Sequence, residues 1–203
     1  MTAIKLCGLS RPCDIEWVNE LKPQYIGFVF ARKSKRYVSP ELAVSLRVGL
    51  SKDIKAVGVL VNAPVDFVCS LLESGAIDIP QLHGQEDESY IAELRSRVDC
   101  PIIKAFRIDS AADVEAANAS SADYVLLDAG SGGTGTSFDW SLLEGIRRPY
   151  FLAGGLDPEC VGPAVAALHP YGVDVSSGIE TEGLKDKNKM EAFVANVRKE
   201  DNK

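Results

Sequence analysis

The segment IKAVGVLV, Ile54 to Val61, decides how this chain is read. It is apolar almost without interruption, whereas a strand with one wet face would alternate apolar and polar residues. It therefore describes a strand covered on both faces, which points to a parallel sheet. Seven further runs of the same kind flank it: IKLC from Ile4, YIGFVF from Tyr25, IPQL from Ile79, IIKAF from Ile102, YVLLD from Tyr124, YFLA from Tyr150 and VDVS from Val173. Successive runs start 21 to 29 residues apart, enough for one strand, one helix and two short connections.

The intervals carry helix-start signals. Ser39-Pro40-Glu41 and Asp157-Pro158-Glu159 each precede an apolar-periodic segment, and Asp109 or Ser110 precedes Ala111–Ala119. Eight consecutive β/α units close most naturally into a (β/α)8 TIM barrel, because each crossover is right-handed and the last strand can pair with the first. An open doubly wound sheet is the alternative this spacing leaves standing. No linker, charge block or change of composition divides the chain, so residues 1–203 are expected to form one α/β domain.

Hydrophobic residues make up 46% and charged residues 25% of the chain, the balance of an ordinary globular protein. A net charge of −7 repels phosphate backbones and argues against a nucleic-acid surface, while leaving room for a local anion pocket. No run approaches the roughly 20 apolar residues that span a bilayer, and there is no secretory leader, so a cytosolic protein without membrane contact is expected. The five cysteines, Cys7, Cys13, Cys69, Cys100 and Cys160, are scattered without a CxxC pair, which suits free thiols better than a disulfide framework or a zinc knuckle. With two histidines in the chain, a histidine-rich metal site is not expected.

In a barrel of this kind chemistry gathers at the C-terminal ends of the strands. Cys7 ends the first run. A cysteine is more often a small buried apolar residue, but at the mouth a cationic neighbour or helix terminus would favour the thiolate that base chemistry needs. Asp128 ends the sixth run after the wholly apolar YVLL. Burial there would raise its pKa and suit it to donate a proton, the plain alternative being a turn or cap residue. Within RKSKR, Arg32, Lys33 and Lys35 read as a solvated patch, and Arg36 as a fork able to grip a carboxylate. His83 and Asp174 end the fourth and eighth runs, and His169, away from any strand end, reads as structural.

Three glycine-rich loops compete for a phosphate. GSGGTG, Gly130 to Gly135, matches GxGxxG, but too few strands follow it for a dinucleotide fold and the lysine of a phosphate loop is absent, so it is expected to be a mobile lid. AGGLDP, with Gly154 and Gly155, and DVSSGIE, with Ser176, Ser177 and Gly178, lie at the ends of neighbouring runs seven and eight. Together they resemble the barrel phosphate cradle of free amides and a short helix N-terminus.

The ordered set IKLCG, GFVFARKSKRYVSP, VGVLVN, QLHG, LLDAGSGGTGTSFDW, LAGGLDPE and VDVSSGIE spans nearly the whole chain and resembles the phosphoribosylanthranilate isomerase family of tryptophan biosynthesis. Thr136 and Cys160 depart from that family, which commonly carries a basic residue and an asparagine there. The resemblance implies an Amadori rearrangement of N-(5-phosphoribosyl)anthranilate without cofactor or metal. It further implies Cys7 as general base, Asp128 as general acid and Arg36 as binder of the anthranilate carboxylate. Gly154, Gly155, Ser176, Ser177 and Gly178 would form the phosphate loops, with His83 and Asp174 as further mouth residues. The partner is then a small phosphorylated substrate, and a monomer or weak homodimer is the expected assembly. Related sugar-phosphate isomerases of histidine biosynthesis typically place an aspartate where Cys7 stands, and a tryptophan synthase α-like lyase needs paired acids that are not found. A barrel that only binds would lack the acid or the base.

Overall fold

The computed structural model of the chain describes residues 1–128 and 140–203; Gly130–Gly135 and Thr136 lie outside them. Eight strands follow in order: β1 (Ala3–Cys7), β2 (Tyr25–Val29), β3 (Lys55–Leu60), β4 (Ile79–Leu82), β5 (Ile103–Arg107), β6 (Tyr124–Asp128), β7 (Tyr150–Ala153) and β8 (Gly172–Val175). All pair in parallel with their sequence neighbours, and β8 pairs with β1, so the sheet closes into a barrel. Closure excludes the open doubly wound sheet. Each strand begins within one residue of the apolar run that announces it.

Side chains alternate faces along a strand, and here that alternation separates two cores. Ile4 and Leu6 of β1, Ala56 and Leu60 of β3, and Val125 and Leu127 of β6 face the helices. Ala3, Val57, Ile79, Ile103, Ala105, Leu126, Phe151 and Ala153 fill the barrel interior. Cys7, Val29 and Val59 form a separate layer. Around Phe151, the rings of Tyr25, Tyr124 and Tyr171 pack with centroids 5.4, 5.9 and 5.3 Å away, closing the N-terminal end of the barrel.

Five helices fill the first intervals: α1 (Pro12–Leu21), α2 (Pro40–Val48), α3 (Val65–Glu73), α4 (Glu88–Arg95) and α5 (Ala111–Ala119). Ser39 caps α2 by accepting from the Leu42 amide, and at the start of α5 Asp113 accepts from the Ser110 amide and hydroxyl. Beyond β7, α6 (Val161–Leu168) begins later than Asp157-Pro158-Glu159 suggests. The Asp157 carboxylate takes the amides of Glu159 and Cys160, winding a separate turn ahead of the helix. His169 ends α6 in the left-handed region, at φ 44°, a structural position as expected.

The alternation of strand and helix is not strict. After β6 the described residues resume in a 3₁₀ turn, Trp140–Gly145. After β8 come a three-residue 3₁₀ turn, Ser177–Ile179, and a hairpin of β9 (Glu180–Thr181) and β10 (Leu184–Lys185). Only then does α7 (Lys187–Asp201) cover the seam, with Met190, Phe193, Val194 and Val197 buried.

The register of the closing pair sets Lys5 opposite Asp174 inside the barrel, where the Lys5 ammonium donates to Asp174 Oδ1 at 2.8 Å. Their side chains are 0% and 10% exposed. Burial works against the charge on Lys5, and Asp174 with Cys7 nearby outweighs it, holding the ammonium above the ordinary lysine value. Such a pair is sensitive to loss of one partner, which strands the other as an uncompensated buried charge. Asp174→Ala is therefore expected to cost about 3–5 kcal/mol in urea unfolding, and the double variant Lys5→Met with Asp174→Leu to regain most of it. A single variant as stable as the parent would show the pair to be dispensable.

Candidate active site

Strand parity brings Cys7, Asp128 and Asp174 to the interior side of β1, β6 and β8, the same side as the residues that fill the barrel. Above them opens a cavity of about 400 Å³ lined by Cys7, Arg36, His83, Asp128, Asp174 and the loops after β7 and β8. Nine of the ten expected site residues meet there. Gly178 does not line it: a Cβ at Gly178 would run into the Leu156 carbonyl oxygen. This glycine lets the loop after β8 lie against the loop after β7.

Cys7 is fixed by its backbone. The amides of Gly8 and Leu9 both donate to the Gly27 carbonyl, at 2.8 and 3.1 Å, and the Ser176 hydroxyl donates to the Cys7 carbonyl at 3.2 Å. The thiol occupies the space beside Gly27 of β2, where an added Cβ would stand 2.5 Å from Sγ. Gly27 is thus a site residue that sequence reasoning passes over, although a glycine inside a strand signals a close approach.

Burial pushes the Cys7 thiol above its ordinary range, the Lys5 ammonium pulls against this, and Asp174 reinforces it. The expectation of a cationic setting that favours the thiolate is corrected accordingly: Lys5 and Lys185 are present, but desolvation outweighs them. Asp128 also departs from expectation. Its side chain is 33% exposed, because the strand ends there and the carboxylate emerges into the cavity, so the buried setting suggested by YVLL is not found. It faces His83, with Nε2 3.7 Å from Oδ2.

Arg36 is half-buried while Arg32, Lys33 and Lys35 are exposed, as the reading of RKSKR expects. Its fork is already gripping a carboxylate of the protein itself. Nε and Nη2 donate to the two oxygens of Glu180 at 2.6 and 2.7 Å. Among the described residues Nη1 donates to nothing, which leaves the outer edge of the guanidinium for a ligand. Glu180 is itself shared with Lys185, whose ammonium lies 2.5 Å from Oε1 and also donates to the Ser176 carbonyl at 2.8 Å. Arg36, the hairpin of β9 and β10, and the Ser176 turn are therefore one polar assembly.

Gly154 and Gly155 both take positive φ, 92° and 68°, which turns the chain across the cavity wall. The Gly155 amide donates to no other described residue, and Ser177, where the 3₁₀ turn begins, lines the same cavity. Turns of small residues with unpaired amides along one wall of the cavity suit an anion of phosphate size.

Comparison with known proteins agrees with this geometry. The profile of the family described as N-(5'-phosphoribosyl)anthranilate (PRA) isomerase matches residues 4–196. The chain is 47% identical over 202 residues to the N-(5'-phosphoribosyl)anthranilate isomerase of Endomicrobium trichonymphae, covering 98% of this chain and 99% of that one. With its counterpart from a Thermoanaerobacter species it shares 43% over 204 residues, 98% of each. Among solved structures, phosphoribosyl anthranilate isomerase from Thermotoga maritima superposes with a TM-score of 0.89 at 34% identity, over 98% of this chain and 100% of that one. A phosphoribosyl anthranilate isomerase in complex with reduced 1-(o-carboxyphenylamino)-1-deoxyribulose 5-phosphate gives a TM-score of 0.86 at 34% identity, with the same coverage. Matched along nearly its whole length by the profile and by these relatives, the chain belongs to the N-(5'-phosphoribosyl)anthranilate isomerase family.

Proposed function

We propose that this protein isomerises N-(5'-phosphoribosyl)anthranilate to 1-(o-carboxyphenylamino)-1-deoxyribulose 5-phosphate with Cys7 as general base and Asp128 as general acid. One observation carries the assignment: a single cavity is lined by both groups, by the turns of Gly154–Gly155 and Ser176–Ser177, and by the open edge of Arg36. Strands β7 and β8, which hold the anion-suited turns, lie between β6 and β1, which hold the acid and the base. A sugar anchored by its phosphate on those turns thus has its carbons between Asp128 and Cys7. Arg36, on the other side of Cys7, receives the anthranilate carboxylate.

In this arrangement Asp128 gives its proton to the furanose ring oxygen as the C1–O bond breaks, and the anilino nitrogen lone pair forms the protonated Schiff base. The Cys7 thiolate then takes the C2 proton, and the C2–H electron pair moves to neutralise the iminium, giving an enaminol. Tautomerisation, with a proton gained at C1 and one lost from the C2 hydroxyl, yields the ketone. Asp174, held on Lys5 beneath Cys7, is placed as a neighbour of the base, and His83 as a neighbour of the acid. We further place the enzyme in the cytosol, where its five free thiols stay reduced. A monomer or weak homodimer is proposed, a solved member of the family from Thermotoga maritima being dimeric.

Mixed with freshly prepared substrate and followed by fluorescence, the parent protein is expected to consume it far faster than spontaneous decay. Folded Cys7→Ala and Asp128→Asn should each lose about 10²–10⁴-fold in turnover, and near-parental activity in either removes that residue from its role. Because burial raises the Cys7 thiol, the thiolate fraction falls as pH is lowered. With the other four cysteines replaced by serine, the rate at which iodoacetamide alkylates Cys7 in the free enzyme should therefore keep rising with pH past the ordinary thiol value of about 8.5. A plateau already reached by about pH 7 would show a thiolate at neutrality. Gly27→Ala places a methyl 2.5 Å from Sγ, and displacement of the thiol by even about 1 Å is expected to cost roughly a hundredfold in kcat/KM with the barrel still folded. Unchanged kinetics would mean that the base tolerates the shift.

A further inference from the structure

Gln81 enters the cavity from β4 and is 1% exposed, yet neither the acid, the base nor the anion turns require it. Its side-chain nitrogen lies 2.9 Å from Nδ1 of His83. With the amide nitrogen as the donor of this contact, Nδ1 is the accepting, unprotonated ring nitrogen and the imidazole proton is carried by Nε2. Nε2 is the atom that faces Asp128, 3.7 Å from Oδ2. The other end of the amide, Oε1, is buried without a partner among the described residues. An unsatisfied buried acceptor is costly, and this one borders the cavity that the substrate enters. A donor of the substrate, a sugar hydroxyl or the anilino N–H, is what it lacks.

We propose that Gln81 is a positioning residue for this isomerisation: it holds His83 in the tautomer whose Nε2–H points at Asp128, and offers Oε1 to a donor group of the substrate. The proposal rests on the assignment of Asp128 as the acid. When Asp128 delivers its proton to the ring oxygen it becomes a carboxylate, and a fixed N–H directed at it stabilises that charge as it develops. The opposite tautomer would aim a lone pair at the new carboxylate and repel it. At 3.7 Å the contact is longer than a hydrogen bond, as such contacts commonly are before substrate closes the site.

The chain has two histidines, so the tautomer is directly readable by nitrogen NMR of ¹⁵N-histidine-labelled enzyme at about pH 8, above the ordinary histidine pKa. His169→Asn identifies the His83 signals. In the parent, Nδ1 of His83 is expected to resonate as a bare ring nitrogen and Nε2 as an N–H. Gln81→Glu replaces the donor by an acceptor and should move the proton to Nδ1, while Gln81→Leu should leave a mixture of tautomers. Both should lower kcat by about tenfold to a hundredfold, and Gln81→Met repeats the test if the leucine variant does not fold. A parent with the proton on Nδ1 overturns the proposal, as does a kcat unchanged when the tautomer changes. The tautomer is read in the unliganded enzyme, so it stands or falls separately from Asp128→Asn, whose turnover tests the acid itself.

Discussion

The pairing of β8 with β1 is the interaction on which the site depends. Four residue pairs, from Ala3 with Gly172 to Leu6 with Val175, join segments about 170 residues apart in the sequence. That register puts Lys5 beside Asp174 and brings the Ser176 hydroxyl to the Cys7 carbonyl. Cys7, the buried ion pair and the Ser176 turn are thereby assembled at one seam. The outer face of the seam is covered by α7, and the hairpin ahead of that helix ties Arg36 to Ser176 through Glu180 and Lys185.

Charge at the seam is arranged in opposition. Lys5 favours a Cys7 thiolate, whereas burial and Asp174 oppose it. A thiol whose ionisation is opposed by burial is less open to oxidation. On the other side of the cavity Asp128 is solvated in part and faces His83. The two groups thus occupy different electrical settings within one cavity, the Cys7 thiol buried and the Asp128 carboxylate partly solvated.

The barrel and the rim were legible in sequence because both rest on local pattern. Apolar runs at a steady spacing mark strands, and position at a strand's end marks the mouth, so Cys7, Asp128, Asp174 and the glycine turns could be singled out without a structure. What stayed hidden depends on partners distant in the chain. Lys5 in IKLCG gains its meaning only when β8 supplies Asp174. Gln81 carries no local signal, and its contact with His83 is visible only in the structure. The grip of Glu180 on Arg36 spans 144 positions and has no local signature. The apolar YVLL suggests burial for Asp128, but burial of a strand does not extend past the atom where the strand meets the cavity. Gly178 also permits a backbone crossing against Leu156 that has no local signature.

The central claim is that one cavity holds the sugar between Cys7 and Asp128. A crystal structure of this enzyme with reduced 1-(o-carboxyphenylamino)-1-deoxyribulose 5-phosphate tests it most directly. The phosphate should lie on the amides of Gly155 and Ser177, the carboxylate on the open edge of Arg36, and C2 about 3–3.5 Å from Cys7 Sγ. A phosphate bound at Arg36, or a C2 atom out of reach of Sγ, would contradict the account.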